Sequence, residues 1–142
     1  MQSGKKSVLY LLAAVVVSAL AIAPAHAQGS RASFDIPFDF VIGQTKMEAG
    51  TYRIGTQGNF VATVSGAGKA TYTVMMAAAG DAPNHDGQPY LRFTRYGKES
   101  FLKTIVFSSD ASFDLPRSSR EKEIMARMTS GDHVDVLSEG TR

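Results

Sequence analysis

Phe34-Asp35-Ile36-Pro37-Phe38-Asp39-Phe40-Val41-Ile42 is the stretch whose reading decides the fold class. Apolar side chains at 34, 36, 38, 40 and 42 alternate with Asp35, Pro37, Asp39 and Val41. A period of two puts those large groups on one face of an extended chain, so the stretch reads as a half-buried β-strand. Pro37 has no N–H to give to a ladder, which predicts an edge position or incomplete pairing there. Asp35 and Asp39 fall on the opposite, solvated face. They do not suit acid–base catalysis as a pair, because four residues of strand separate them by about 13 Å, against roughly 5 to 9.5 Å in glycosidases. Edge charges that discourage sheet-to-sheet association are the expected role.

Downstream, Gly43-Gln44 reads as a turn, Thr45 to Met47 as a short strand, Glu48-Ala49-Gly50 as a second turn, and Thr51 to Ile54 as extended chain. Asn59 to Ser65 and Lys69 to Ala77 are rich in Val, Thr and Tyr and flank Gly66-Ala67-Gly68, the clearest hairpin signal in the chain. Gly80 to Pro89 holds too many breakers for any element and is the longest loop. Tyr90 to Tyr96 and Phe101 to Phe107 form a second hairpin around Gly97-Lys98-Glu99. One segment reads as helix, over 119 to 129. Pro116 stops the preceding strand, Ser118 and Glu121 have capping-box spacing, and Ile124, Met125 and Met128 make an apolar stripe. From Thr129 to Arg142 the chain is polar and ends in Ser-Glu-Gly-Thr-Arg, so its last few residues are expected to fray.

Upstream, Lys5 and Lys6 precede the uncharged stretch Val8 to Ile22, and Ala25-His26-Ala27 is a small-x-small cleavage site. Fifteen residues of helix cover about 22 Å, short of a hydrocarbon core of roughly 30 Å, so residues 1–27 read as a removed export signal rather than an anchor. The expected locations are the periplasm or the exterior, with no transmembrane segment after cleavage. Of 142 residues, 115 remain, enough for one domain. The whole chain carries 15 Lys and Arg against 13 Asp and Glu; loss of Lys5 and Lys6 leaves 13 of each, which removes any general attraction to nucleic acid. There is no cysteine, which excludes disulfides, thiol catalysis and thiolate metal sites.

Together these signals predict an all-β fold: a small antiparallel β-sandwich or partly open barrel of about seven strands, with one short C-terminal helix. The expected division is a flexible start at 28–32, a β domain over 33–113, a helical segment over 114–130 and a polar tail over 131–142.

A resemblance to one protein group is carried by Pro37-Phe38-Asp39-Phe40-Val41 with Gly43, then Glu48-Ala49-Gly50-Thr51-Tyr52, Leu91-Arg92-Phe93-Thr94-Arg95-Tyr96-Gly97, Ser100-Phe101-Leu102 and Leu115-Pro116-Arg117-Ser118 with Glu121, in this order. In these segments, about half of the mature chain, the sequence resembles small exported all-β proteins of soil-bacterial type with no assigned function. The resemblance implies an exported all-β domain with a short C-terminal helix. It supplies no catalytic or ligand residues.

Candidate chemistry is sparse. Ser65-Gly66-Ala67-Gly68-Lys69-Ala70-Thr71 fails as a phosphate loop, because Thr63 stands where the first glycine belongs, Ala70 where the metal-binding hydroxyl belongs, and no helix follows. Asp81, Asn84, His85 and Asp86 crowd the long loop, but their offsets do not match a calcium loop, and turn chemistry accounts for them. After cleavage only His85 and His133 remain, with neither a nucleophile elbow nor a zinc-protease helix, so no catalytic residue, cofactor or metal is expected. Met47, Met75, Met76, Met125 and Met128 read as core filler or as the lining of an adaptable apolar pocket.

The candidate binding surface is Tyr90, Arg92 and Tyr96 on one strand face, with Lys98 and Lys103 in the adjoining hairpin. Aromatic rings beside cations suit sugars or anionic polymers, whereas the structural alternative is a solvated sheet face covered by Tyr and Arg stems. The functional expectation is an exported, non-catalytic binding or structural module of the cell envelope, its partner an envelope polysaccharide or another envelope protein. The alternatives are a carrier for a small apolar ligand in a barrel interior and a hydrolase.

Overall fold

The fold follows from where the alternating strands change sheets. The structure, a computed structural model, describes residues 29–58, 60–66, 71–79, 85–108, 110–128 and 130–139. The expected export signal, the tip of the first hairpin and the start of the long loop lie outside the described residues. So do Asp81 and Asn84.

Among the described residues the chain is all-β with one short helix. In order the strands are β1 Arg31–Ile36, β2 Phe40–Ile42, β3 Thr45–Met47, β4 Gly50–Gln57, β5 Val61–Gly66, β6 Tyr72–Met75, β7 Ala77–Ala78, β8 Tyr90–Tyr96, β9 Glu99–Ser108 and β10 Ala111–Asp114. The helix α1 Ser119–Met125 and the strand β11 Asp132–Leu137 complete it. One sheet has the order β1-β4-β5-β6 and the other β11-β8-β9-β10-β7, with β2 and β3 added beside β9.

The stretch expected as one strand is two, and they belong to different sheets. β1 runs antiparallel to β4, whereas β2 lies parallel to β9 at Val41 opposite Phe101. Pro37, Phe38 and Asp39 make the crossing, where a missing N–H breaks the ladder without loss. The alternation survives the crossing: Phe34, Ile36, Phe40 and Ile42 are at most 1% exposed. Phe38 is half-buried and meets Phe93 edge to face, with centroids 5.1 Å apart.

Chain crossings also curl the two sheets together. Only Met76 separates β6, paired with β5, from β7, paired with β10. At the other side the Glu139 N–H donates to the Ser33 carbonyl at 2.9 Å, linking the end of β11 to β1. The result is a partly open barrel. Its interior is filled by rings at right angles, Phe40 against Tyr52 at 5.2 Å and against Phe93 at 5.4 Å, a geometry favoured by the ring quadrupoles.

The eleven strands among the described residues fit the expected sandwich or partly open barrel of about seven, with bends subdividing longer runs. The sheet structure also begins earlier and ends later than expected. β1 starts at Arg31, within the stretch expected as a flexible start, and β11 pairs with Tyr90 to Arg95 of β8 where a polar tail is expected. Val134 and Val136 are half-buried, and Asp135 between them receives Arg92.

The helix is capped as the sequence predicts but is shorter. Ser118 is extended (φ −67°, ψ 160°), and its Oγ accepts the Glu121 N–H at 3.0 Å. The expected apolar stripe is only half-buried at Ile124 and Met125, and Met128 is 44% exposed. The buried residue of α1 is instead Glu121. Among the described residues no helix is long and apolar enough to cross a membrane.

Candidate functional site

Of the residues expected as a binding surface, Tyr90 and Tyr96 are buried, Arg92 and Lys103 are half-buried and Lys98 is exposed. Tyr90, Thr94 and Tyr96 share a side of β8 with Phe101 and Val106 of β9, through the register Tyr90 to Val106 and Thr94 to Phe101. All of these are buried, yet the four apolar ones lie outside the interior cluster. They form a second packed layer on the outside of the barrel. Gly131 is pressed onto it: a Cβ there would meet the Tyr96 ring at 2.6 Å and Thr94 Cγ2 at 2.8 Å. Burial raises the pKa of Tyr96, and the nearby Glu121 carboxyl raises it further.

The cations of that region are mostly committed to partners. Arg92 donates to Asp135 twice, Nε to Oδ1 at 2.8 Å and Nη2 to Oδ2 at 2.6 Å. Arg95 points to the opposite side, its guanidinium 4.7 Å from the Phe38 ring centroid and bonded to Ser100. Lys103 faces Asp114 at 3.5 Å, and Glu99 receives Arg120 at 2.8 Å. Lys98, at the turn, is exposed and makes no ion pair among the described residues.

His85 belongs to the Arg92–Asp135 group. Its Nε2–H donates to Asp135 Oδ2 at 2.9 Å, and its ring stands edge-on to Tyr90 at 4.5 Å. The Asp135 carboxyl is held below the usual carboxylate range, first by the Arg92 hydrogen bonds and, against some desolvation, by His85. A His–Asp pair invites a hydrolytic reading, but such a relay needs the second ring nitrogen on a nucleophile. Among the described residues no hydroxyl is bonded to His85. The arrangement ties the 85–89 loop and β11 to β8. His133 is exposed on β11.

The other candidates resolve locally. Asp39 accepts the Ala49 N–H at 3.0 Å and pairs with Lys46 at 3.4 Å, so it organises the β3–β4 turn rather than standing free as an edge charge. Asp86 holds a left-handed turn conformation (φ 52°). No group of His, Asp and Glu among the described residues could hold a metal ion. Met47 and Met76 fill the core, while Met75 is 70% exposed.

A second arrangement, not anticipated from the sequence, lies on the β1-β4-β5 sheet. Arg31, Ser33 and Arg53 line an open cleft of about 780 Å³, with Gln88, Ser138 and Glu139 on its other side. Two hydrogen bonds hold that far wall: Gln88 Nε2 donates to the Ser138 carbonyl at 2.9 Å and the Ser138 N–H to the Pro89 carbonyl at 2.8 Å. Ser33 is directly opposite Arg53 across the ladder, and Arg31 is opposite Gly55. The two arginines are therefore diagonal neighbours on one face, about 7 Å apart at their Cβ atoms. Neither makes an ion pair among the described residues. Gly55 gives the Arg31 stem its seat, since a Cβ there would lie 3.2 Å from Arg31 Cγ.

No family model matches the chain, and neither the curated proteins nor the solved structures yield a significant match.

Proposed function

We propose that the chain is an exported, non-catalytic binding module of the cell envelope. The observation that carries this reading is the pair Arg31 and Arg53, two cations side by side in an open cleft, neither of them in an ion pair among the described residues. Arg53 has Arg31 on one diagonal and Asp35 on the other, so an anion is drawn to the Arg31 side, where the like charges repel. The barrel interior supports a carrier less well, because Phe40, Tyr52 and Phe93 pack against one another between the sheets. A hydrolase has less support still, because both oxygens of Asp135 already receive Arg92. Export rests on the charged start, the short apolar core and Ala25-His26-Ala27.

The test is fractionation of a bacterium expressing the full chain. The protein is expected outside the cytoplasm, with Gln28 or its cyclised form at its start, and purified chain is expected to sediment with isolated envelope and to be released by salt. Retention of residues 1–27 in the cytoplasm, or failure to sediment with envelope, contradicts the proposal.

A further inference from the structure

From the same cleft we infer that the ligand is a carboxylated polysaccharide, laid across the outer face of β1, β4 and β5 with its acid groups against Arg31 and Arg53; this rests on the binding-module reading and names its ligand class. The cleft does not stand alone. A second hollow of about 190 Å³, lined by Ser33, Thr51, Arg53, Ser65 and Gly66, shares Ser33 and Arg53 with it. The two depressions form one track over the strands, which suits a chain rather than a compact molecule.

The chemistry along the track matches an acidic sugar. Guanidinium groups grip carboxylates through paired hydrogen bonds, and hydroxyl side chains exchange hydrogen bonds with sugar hydroxyls. The cross-strand row Ser33, Arg53, Ser65 is set by the register of β1, β4 and β5, and Ser65 Oγ lies 3.2 Å from Thr71 Oγ1 at its end. Arg31 stands in the next row over Gly55, a glycine within a strand, where a missing side chain lets another group come close. Glu139, across the cleft, sets a direction: acid groups favour the arginine side and hydroxyl donors the opposite wall. The recognition is local, as a mature chain of balanced charge requires.

The experiment is affinity electrophoresis and calorimetry of the purified chain with a polyuronate such as alginate, beside a neutral dextran of matched length. Polyuronate is expected to retard and bind the protein while dextran does neither. Binding is expected to vanish near about 0.5 M salt, where the screening length falls to about 4 Å. Arg31→Ala and Arg53→Ala should each weaken it about tenfold, the scale of one charge-assisted hydrogen-bonding group. Lys98→Ala should leave it unchanged. Both arginines lie on an exposed face, and unchanged melting of the variants separates lost binding from lost fold. Equal binding of dextran, normal binding by the Arg53→Ala variant, or no polyuronate binding overturns the inference. If the protein still sediments with envelope while polyuronate fails, the ligand class alone falls; if both fail, the module reading falls with it.

Discussion

Asp135 on the last strand receives Arg92 of β8 through two hydrogen bonds, at 2.8 Å and 2.6 Å, and its Oδ2 also receives His85 at 2.9 Å. One carboxylate thus fastens β11 and the 85–89 loop to the sheet, and both Gln88 and Ser138 of the cleft depend on that attachment. Asp135→Asn leaves Arg92 half-buried without its counter-charge and should destabilise by about 2 kcal/mol at neutral pH. Asp135 has a folded-state pKa below its unfolded value, so its stabilisation is present above about pH 4 and is lost as pH falls through the lower folded value. Urea unfolding across that range should show the variant converging on the parent as the solution becomes acid. A constant difference at all pH values contradicts the clamp.

Glu121 has the opposite sign. Its carboxyl is 4% exposed, Oε1 has no hydrogen-bond partner, and burial raises its pKa against the lowering effects of Arg117, Lys103 and the Ser118 backbone. The folded state favours the neutral acid, so stability is fullest below the unfolded pKa and declines as pH rises through the folded one. Glu121→Gln keeps the shape and removes the charge, and the capping bond uses the backbone N–H, which survives. The variant should melt higher than the parent near neutrality and equally in acid. A lower melting temperature at neutral pH would show that the ionised carboxylate is the stabilising form.

Much of the fold is legible in the residues, and the failures have definite causes. Alternation gives the buried face of Phe34 to Ile42 correctly, but it runs unbroken through the Pro37 crossing and so conceals the change of sheet. β11 has only Val134 and Val136 as its apolar signal, and Asp135 reads as polar tail until Arg92 is found opposite it. The Tyr90, Arg92, Thr94, Tyr96 face carries enough polar groups to look solvated. Its partners Phe101 and Val106 on the neighbouring strand were the warning that both faces of this hairpin are covered. Arg31 and Arg53 are separated by 22 positions, and only the antiparallel register of β1 and β4 brings them together. The one local hint is Gly55 within an otherwise ordinary strand.

The second buried layer can be probed at Gly131. A Cβ at this position meets buried ring and methyl carbons under 3 Å, and the packed surroundings leave little room to yield. Gly131→Ala should cost about 1–3 kcal/mol by overpacking, far more than alanine at an exposed glycine. Denaturant unfolding measures it, and an unchanged midpoint would place Tyr96 in a looser layer.

At the crossing between sheets, Phe40→Ala should cost about 3–5 kcal/mol, because the ring is 1% exposed and touches both Tyr52 and Phe93. Phe38→Ala should cost less, since Phe38 is only half-buried. Asp39→Ala removes the acceptor of the Ala49 N–H and should cost about 1 kcal/mol. Equal losses at Phe38 and Phe40 would contradict the burial difference across Pro37.

The most direct test of the binding surface is a map of backbone amide shifts as a short polyuronate is titrated into the isotopically labelled chain. The account predicts saturable shifts gathered at Ala32, Ser33, Arg53 and Ser138, the two sides of one cleft. Shifts gathered instead between Arg92 and Lys103 would contradict it and return the binding surface to the β8–β9 hairpin.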